Sequence, residues 1–178
     1  MSQQTTRPIA IVTGASRQRS IGTAVCRALA QSGVDIFFTH WSPYDRFMHY
    51  QGEEETPAHL QNELQAMGVR CEQMSVDLSD VEAPRRILDA VEERLGAVSI
   101  LVNNAVHDED EQPFDQLTAA TLDKFYAINM RGTLLLSIEF ARRFGQSTGG
   151  RIINLSSGQG VGAMPGKLPY VATKGAIE

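Results

Sequence analysis

An α/β fold, with a doubly wound parallel sheet between two helical layers, follows from two features of the sequence. Short, continuously apolar runs rich in β-branched residues alternate with stretches of helical periodicity, and turn residues punctuate them. Strands separated by single helices pair in parallel, and such a sheet binds ligands beyond the C-terminal ends of its strands. Gly14, Asp77, Asn104 and Ser157 all fall at or just after those ends.

Ile9-Ala10-Ile11-Val12 is the first buried strand, ended by Thr13-Gly14. The loop 14–22, GASRQRSIG, is small-residue and basic, and a helix follows with Ile21, Val25, Ala28 and Leu29 on one stripe, stopping near Gly33. Asp35–Thr39 is the second strand, which completes a unit of the length that builds a parallel sheet. Residues 40–57, HWSPYDRFMHYQGEEETP, are long for the next connection and carry Trp41, Tyr44, Phe47 and Tyr50 among charges. They read either as a surface excursion with locally packed aromatics or as a flap over a nucleotide or an oligomer contact.

Leu60, Leu64 and Met67 mark a helix ended by Gly68, and 69–76 gives the third strand. Val81, Leu88, Val91 and Leu95 mark the next helix, with Pro84 tolerable in its first turn. The fourth strand, 98–102, ends in Asn103-Asn104-Ala105. After the acidic loop 107–116, one long helical pattern runs through Leu122, Phe125, Ile128, Leu135, Ile138 and Phe144 and closes at Gly149-Gly150. The fifth strand is 151–155. No repeat or low-complexity segment interrupts the alternation, so a single nucleotide-binding domain of Rossmann type over 1–178 is expected. The chain stops at Glu178 partway through a helix, which reads as a fold lacking its C-terminal part or completed by a partner.

At 178 residues, with 42% hydrophobic and 21% charged residues, the chain can bury a proper core. A formal charge of −5 argues against nucleic acid or an anionic membrane as the main partner. It leaves room for a phosphate ligand held by one local arginine and a helix N-terminus. Cys26 and Cys71 lack the spacing of a zinc site, no metal role is supported, and reduced, buried thiols are expected. The polar N-terminus, MSQQTTRP, is not a signal peptide and no window approaches a membrane span, so a cytoplasmic protein is expected.

The chemistry concentrates in SSGQGVGAMPGKLPYVATK, residues 156–174. Tyr170 and Lys174 lie one turn apart on any helix starting near Pro169, where an ammonium favours the phenolate. Alone they would be an exposed tyrosine and a solvated lysine, and Ser156-Ser157 a polar loop. Their joint spacing, Ser–x12–Tyr–x3–Lys directly after a buried strand, makes a proton-donating site that requires a carbonyl and a hydride. Gly14 and Gly22 could make a mere turn, but a strand before and a helix after suit a diphosphate at the helix N-terminus. No acid stands at the end of the second strand until Asp45, and Arg17 and Arg19 stand in the loop. NADP(H) is therefore favoured over NAD(H), with Asp45 the one acid that could fold back and weaken that preference. Asn129, polar within an apolar stripe, reads locally as a side chain bonding backbone at a helix irregularity near Gly132.

Taken together, these motifs resemble the short-chain dehydrogenase/reductase family across essentially the whole chain. TGASRQRSIG is similar to its phosphate loop, VDL (76–78) to its adenine-contacting segment, NNA (103–105) to its fourth-strand motif, and INMRG (128–132) to the segment carrying its active-site asparagine. SSG and YVATK resemble its serine and Tyr-x3-Lys pair. The resemblance implies Tyr170 as general acid/base, Ser157 orienting the carbonyl, and Lys174 supporting the phenolate and holding the nicotinamide ribose. Asn129 would hold a proton-relaying water. Gly14, Ser16, Arg17, Ser20, Ile21, Asp77, Leu78, Asn104 and Ala105 would contact the cofactor, with Tyr170 and Lys174.

Two departures shape the expected reaction. The phosphate loop has two added residues and Ser20 in place of the middle glycine, as in enoyl-acyl-carrier reductases, whose tyrosine and lysine are typically six apart. The three-residue spacing here favours carbonyl–alcohol chemistry, on a ketone, a 3-oxoacyl thioester or a secondary alcohol, most like the 3-oxoacyl-acyl-carrier reductase branch. Val106 replaces the usual glycine after NNA and implies a bulkier cleft wall. The family runs to about 250 residues, and its long helix and tyrosine helix usually form a dimer interface, so a homodimer or homotetramer is expected. Beside the enzyme stands the alternative of a non-catalytic, nucleotide-binding or dimerising fragment.

Overall fold

The computed structural model describes residues 7–48, 56–145 and 148–178. Five strands, β1 (Ile9–Val12), β2 (Asp35–His40), β3 (Cys71–Ser75), β4 (Ile100–Asn103) and β5 (Arg151–Asn154), pair in parallel in the order β3-β2-β1-β4-β5. The register sets Ile11 of β1 between Phe37 of β2 and Leu101 of β4. Because successive side chains on a strand alternate faces, this register sorts the core into two. Ile9, Ile11, Phe37 and Leu101 pack with Ile87, Leu88 and Val91 of α4 (Ala83–Arg94) and Leu136 and Phe140 of α6 (Thr133–Phe144). Ala10, Val12, Ile36, Phe38 and Val102 pack with Cys26 and Ala30 of α1 (Ile21–Gln31) and Leu60 and Leu64 of α3 (Thr56–Ala66). Strands buried on both faces need apolar residues at every position, which is why β1 and β2 read as unbroken runs.

The expected three-layer fold is present, and the differences are local. The third, fourth and fifth strands are shorter or shifted by one or two residues relative to the sequence reading. The long helix is not continuous: α5 (Ala119–Phe125) passes through a wider π-type segment, Tyr126–Gly132, before α6. It also ends at Phe144, with Gly145 at φ +59°, rather than running to Gly149-Gly150. Residues 40–57 contain a short helix, α2 (Ser42–Phe47), while Tyr50 lies outside the described residues. Cys26 and Cys71 are free, buried thiols; burial pushes Cys71 up to about 12 and Cys26 higher still. The last helix, α7 (Leu168–Gly175), starts one residue before Pro169 as the spacing requires. No helix among the described residues is long and apolar enough to cross a membrane.

Candidate functional site

The strand order reverses at β1, whose neighbours are β2 on one side and β4 on the other. At that point the two strand ends are laced together. Thr13 Oγ1 accepts from the main-chain N–H groups of Asn104 and Ala105, both at 3.0 Å. Asn104 Nδ2 in turn donates to the carbonyls of Thr13 (2.7 Å) and Gly14 (3.0 Å). Gly14 has φ +74°, and a Cβ there would lie 2.7 Å from Ala105 Cα. A Cβ on Gly22 would meet both the Gly14 carbonyl oxygen and Asn104 Nδ2 at 2.6 Å. Both positions therefore require glycine for close approach of backbone. Ser20 caps α1, its Oγ accepting from Thr23 N at 3.2 Å, so the helix opens directly onto the crevice.

One cavity of about 570 Å³ covers this edge of the sheet. Gly14, Ser16, Arg17, Ser20 and Ile21 line it from the first loop, Asp77 and Leu78 from the end of β3, and Asn104 and Ala105 from the end of β4. Tyr170 lines its far side. All ten of those anticipated residues thus meet in one space, while Asn129, Ser157 and Lys174 are not among the residues that line it. Lys174 is 4% exposed and donates to the carbonyl of Leu155 at the end of β5; burial lowers its pKa. Ser157 Oγ lies 3.8 Å from Met164 Sδ. Asp77 Oδ1 accepts from Ser79 N at 2.8 Å, which fixes the turn after β3.

Asn129 sits buried in the π segment, the irregularity its local reading anticipated, but the backbone it binds is that of His107, 22 residues away. Its Oδ1 accepts from His107 N (2.7 Å), and its Nδ2 donates to His107 O (2.9 Å) and Thr173 Oγ1 (3.1 Å). Thr173 neighbours Lys174, so this amide ties the end of β4 to the helix carrying Tyr170. Gly132 ends the segment where a Cβ would be 2.6 Å from the Leu78 carbonyl, so the wide turn presses against the end of β3.

Residues 40–48 are no detached excursion. Trp41, Tyr44, Asp45 and Phe47 all line the cavity. Asp45 does fold back: its Oδ1 accepts from Ser16 Oγ at 3.2 Å and lies 3.9 Å from Arg17 Nε. His40, at the end of β2, meets Gln73 Oε1 at 2.6 Å through Nε2, while its buried Nδ1 has no hydrogen-bond partner. Burial lowers the His40 pKa against the opposing pull of Gln73 and Asp45.

His107, Asp108, Glu109 and Lys124 also line the cavity, and sequence reasoning passed over them. His107 packs edge-on to Phe125 at 4.9 Å and meets Glu109 Oε1 at 2.9 Å. Burial pushes the Glu109 carboxyl up, but the bonds from His107 and Lys124 outweigh it and leave it below the ordinary value. The only sequence signal for this group was its position just after Asn103-Asn104-Ala105.

A doubly wound sheet with a glycine-lined crevice and a capped helix N-terminus at its switch point has the geometry in which α/β proteins hold dinucleotides. Residues 8–178 match the short chain dehydrogenase family model, and the chain belongs to that family. It is 50% identical to the uncharacterized oxidoreductase YjdA of Bacillus subtilis, over 95% of this chain and 64% of that protein. It is 32% identical to an NADPH-dependent aldehyde reductase-like chloroplastic protein of Arabidopsis thaliana, over 96% of this chain and 63% of that one. A crystal structure of a short chain dehydrogenase from Burkholderia cenocepacia in complex with NADP superposes with a TM-score of 0.81 at 30% identity, over 96% of this chain and 64% of that one. The chain therefore spans somewhat less than two thirds of the length of these relatives.

Proposed function

We propose that this chain carries the cofactor-binding and proton-transfer parts of an NADP(H)-preferring oxidoreductase interconverting a ketone or 3-oxoacyl thioester and a secondary alcohol. The observation that carries the reading is Tyr170 on the wall of the same cavity as the glycine-lined loop and the α1 N-terminus, with Lys174 buried one turn behind it. The residues present fit a dinucleotide: close backbone approach at Gly14 and Gly22, the capped α1 N-terminus and the Arg17 guanidinium together suit a diphosphate and a further phosphate. The bound nicotinamide would supply the hydride.

In the reductive direction the Tyr170 hydroxyl gives its proton to the carbonyl oxygen, and in the oxidative direction the phenolate takes it back. Ser157 donates a hydrogen bond to that same oxygen and polarises the carbonyl. The buried Lys174 ammonium stabilises the phenolate left behind, with Leu155 O holding its Nζ in place. It also takes the nicotinamide ribose. Asn129 fixes α7 through Thr173 and in this reading holds a water that relays protons to Lys174. Arg17 takes the 2′-phosphate, Asp77 the adenine, and Ser16, Ser20, Ile21, Leu78, Asn104 and Ala105 form the walls. The three-residue Tyr–Lys spacing favours carbonyl reduction over the enoyl reduction suggested by the lengthened loop. The active assembly in this reading is a homodimer or homotetramer.

Tyr170→Phe in the complete gene product is the direct test. It should reduce carbonyl turnover by roughly a thousandfold or more, since the proton has no other donor at that position, while NADPH binding changes no more than a few-fold. Retained turnover refutes Tyr170 as the acid. NADPH oxidation with a 3-oxoacyl thioester and none with an enoyl thioester supports the substrate class, and the reverse overturns it.

A further inference from the structure

The turn after β4 is held from two opposite sides by two side chains. Asn129 binds both the N–H and the C=O of His107. Tyr44, from α2, does the same for the next residue: its hydroxyl accepts from Asp108 N at 3.0 Å and lies 3.2 Å from Asp108 O, to which it donates. Partly buried irregular backbone needs partners for each such group, and here the Asn129 amide and the Tyr44 hydroxyl supply them all. The side chain of Asp108 then continues the connection. Its two carboxylate oxygens lie 3.1 and 3.3 Å from Lys167 Nζ, which also donates to the Glu109 carbonyl. Lys167 immediately precedes α7, and its own carbonyl accepts the first bond of that helix, from Val171 N at 2.9 Å. A backbone bond from Gln112 N to Gly166 O, 3.0 Å, lies alongside.

We propose that Tyr44 is a positioning residue: through Asp108 and Lys167 it sets the start of α7, and with it the placement of Tyr170 against the cofactor cavity. Tyr44 lies on the same short helix as Asp45, which reaches back to Ser16 and Arg17 of the phosphate loop. Helix α2 thus lines the cavity with one residue fastened to the phosphate loop and its neighbour to the chain leading to the tyrosine. This links the phosphate loop to the placement of Tyr170. The effect on turnover rests on the reading of Tyr170 given above; the mechanical link does not.

Tyr44→Phe removes one oxygen and keeps the ring against His107, 5.5 Å away. Lys167→Met breaks the same connection from its other end. In the complete gene product, hydrogen–deuterium exchange should rise at least about fivefold over 107–110 and 168–172 in both variants, with β1 and α1 unchanged; losing a hydrogen bond of ordinary net strength gives this order of effect. With saturating NADPH and a carbonyl substrate, kcat should fall about tenfold in each, the size of one lost positioning bond, while KM for NADPH stays within a few-fold. The double variant should be no worse than the worse single one, because both cut one connection. Unchanged exchange at 168–172 overturns the proposal, as do faster exchange with an unchanged kcat or effects that add in the double variant. Should Tyr44→Phe fail to fold, Lys167→Met alone must give the same exchange pattern, or the proposal falls. If Tyr170→Phe keeps turnover while Tyr44→Phe still loosens α7, the coupling stands and the proton-donor reading fails.

Discussion

The two sides of the cavity are built by different means. On the nucleotide side, geometry is set by backbone: Gly14 and Gly22 let two loops and a helix approach more closely than any Cβ permits, and β1 and β2 beneath them are almost wholly buried. On the side proposed for proton transfer, geometry is set by side chains, and β5 is exposed along its length. There Asn129, Thr173, Asp108, Lys167 and Lys174 each hold a neighbouring main chain or side chain by hydrogen bonds or an ion pair. A site held by backbone contact fails when volume is added. A site held by side chains survives conservative change in its fold while losing its function.

The sharpest way to break that contrast is Gly14→Ala. The methyl group meets Ala105 Cα at 2.7 Å and forces φ +74° on a residue that disfavours it. Backbone strain and overpacking together should cost roughly 2–4 kcal/mol of stability. Denaturant unfolding should show that loss, and NADPH affinity should fall by roughly a hundredfold as the loop is pushed off the crevice. Tyr170→Phe, by contrast, should leave unfolding unchanged within about 0.5 kcal/mol, because it removes one partly exposed hydroxyl. Equal stability losses in the two variants would dissolve the distinction.

The same division explains what the sequence made visible. The nucleotide side was legible because its determinants are local: an apolar run, a small-residue loop and a helical stripe occur consecutively from Ile9 to Leu29. The spacing of Ser157, Tyr170 and Lys174 was legible for the same reason. The break in the long helix was legible only as the irregularity that Asn129 marks near Gly132, since the π segment keeps Phe125, Ile128 and Leu136 turned toward the protein and so preserves an apolar stripe. The contacts of α2 were hidden too. Tyr44 and Asp108 are 64 residues apart, Asp108 and Lys167 are 59, and Ser16 and Asp45 are 29, so no periodicity encodes these pairs. A single polar side chain reaching across a fold leaves no pattern in the sequence around it.

A smaller effect tests whether Arg17 belongs to the nucleotide side functionally as well as spatially. Arg17→Ala should raise KM for NADPH about tenfold, the scale of one charge-assisted phosphate contact, and barely alter KM for NADH. The loss should shrink as salt is added, because the guanidinium is about one third exposed and screened. Equal changes for both cofactors would remove Arg17 from 2′-phosphate recognition.

The finest discrimination comes from Asp45, which fastens α2 to the phosphate loop. Its carboxylate sits 3.9 Å from Arg17 Nε and would lie close to any group that Arg17 holds. A carboxylate there opposes a 2′-phosphate by charge and accepts well from a 2′-hydroxyl, so it works against the preference that Arg17 creates. Asp45→Asn keeps an oxygen for Ser16 Oγ and removes the charge. The ratio of kcat/KM for NADPH over NADH should rise about three- to tenfold, as expected for one partly screened like charge removed. Tyr170-dependent turnover at saturating cofactor should not change, because the asparagine keeps the Ser16 bond that fastens α2 to the phosphate loop. A ratio that stays constant or moves toward NADH would mean that Asp45 holds the loop without reading the cofactor.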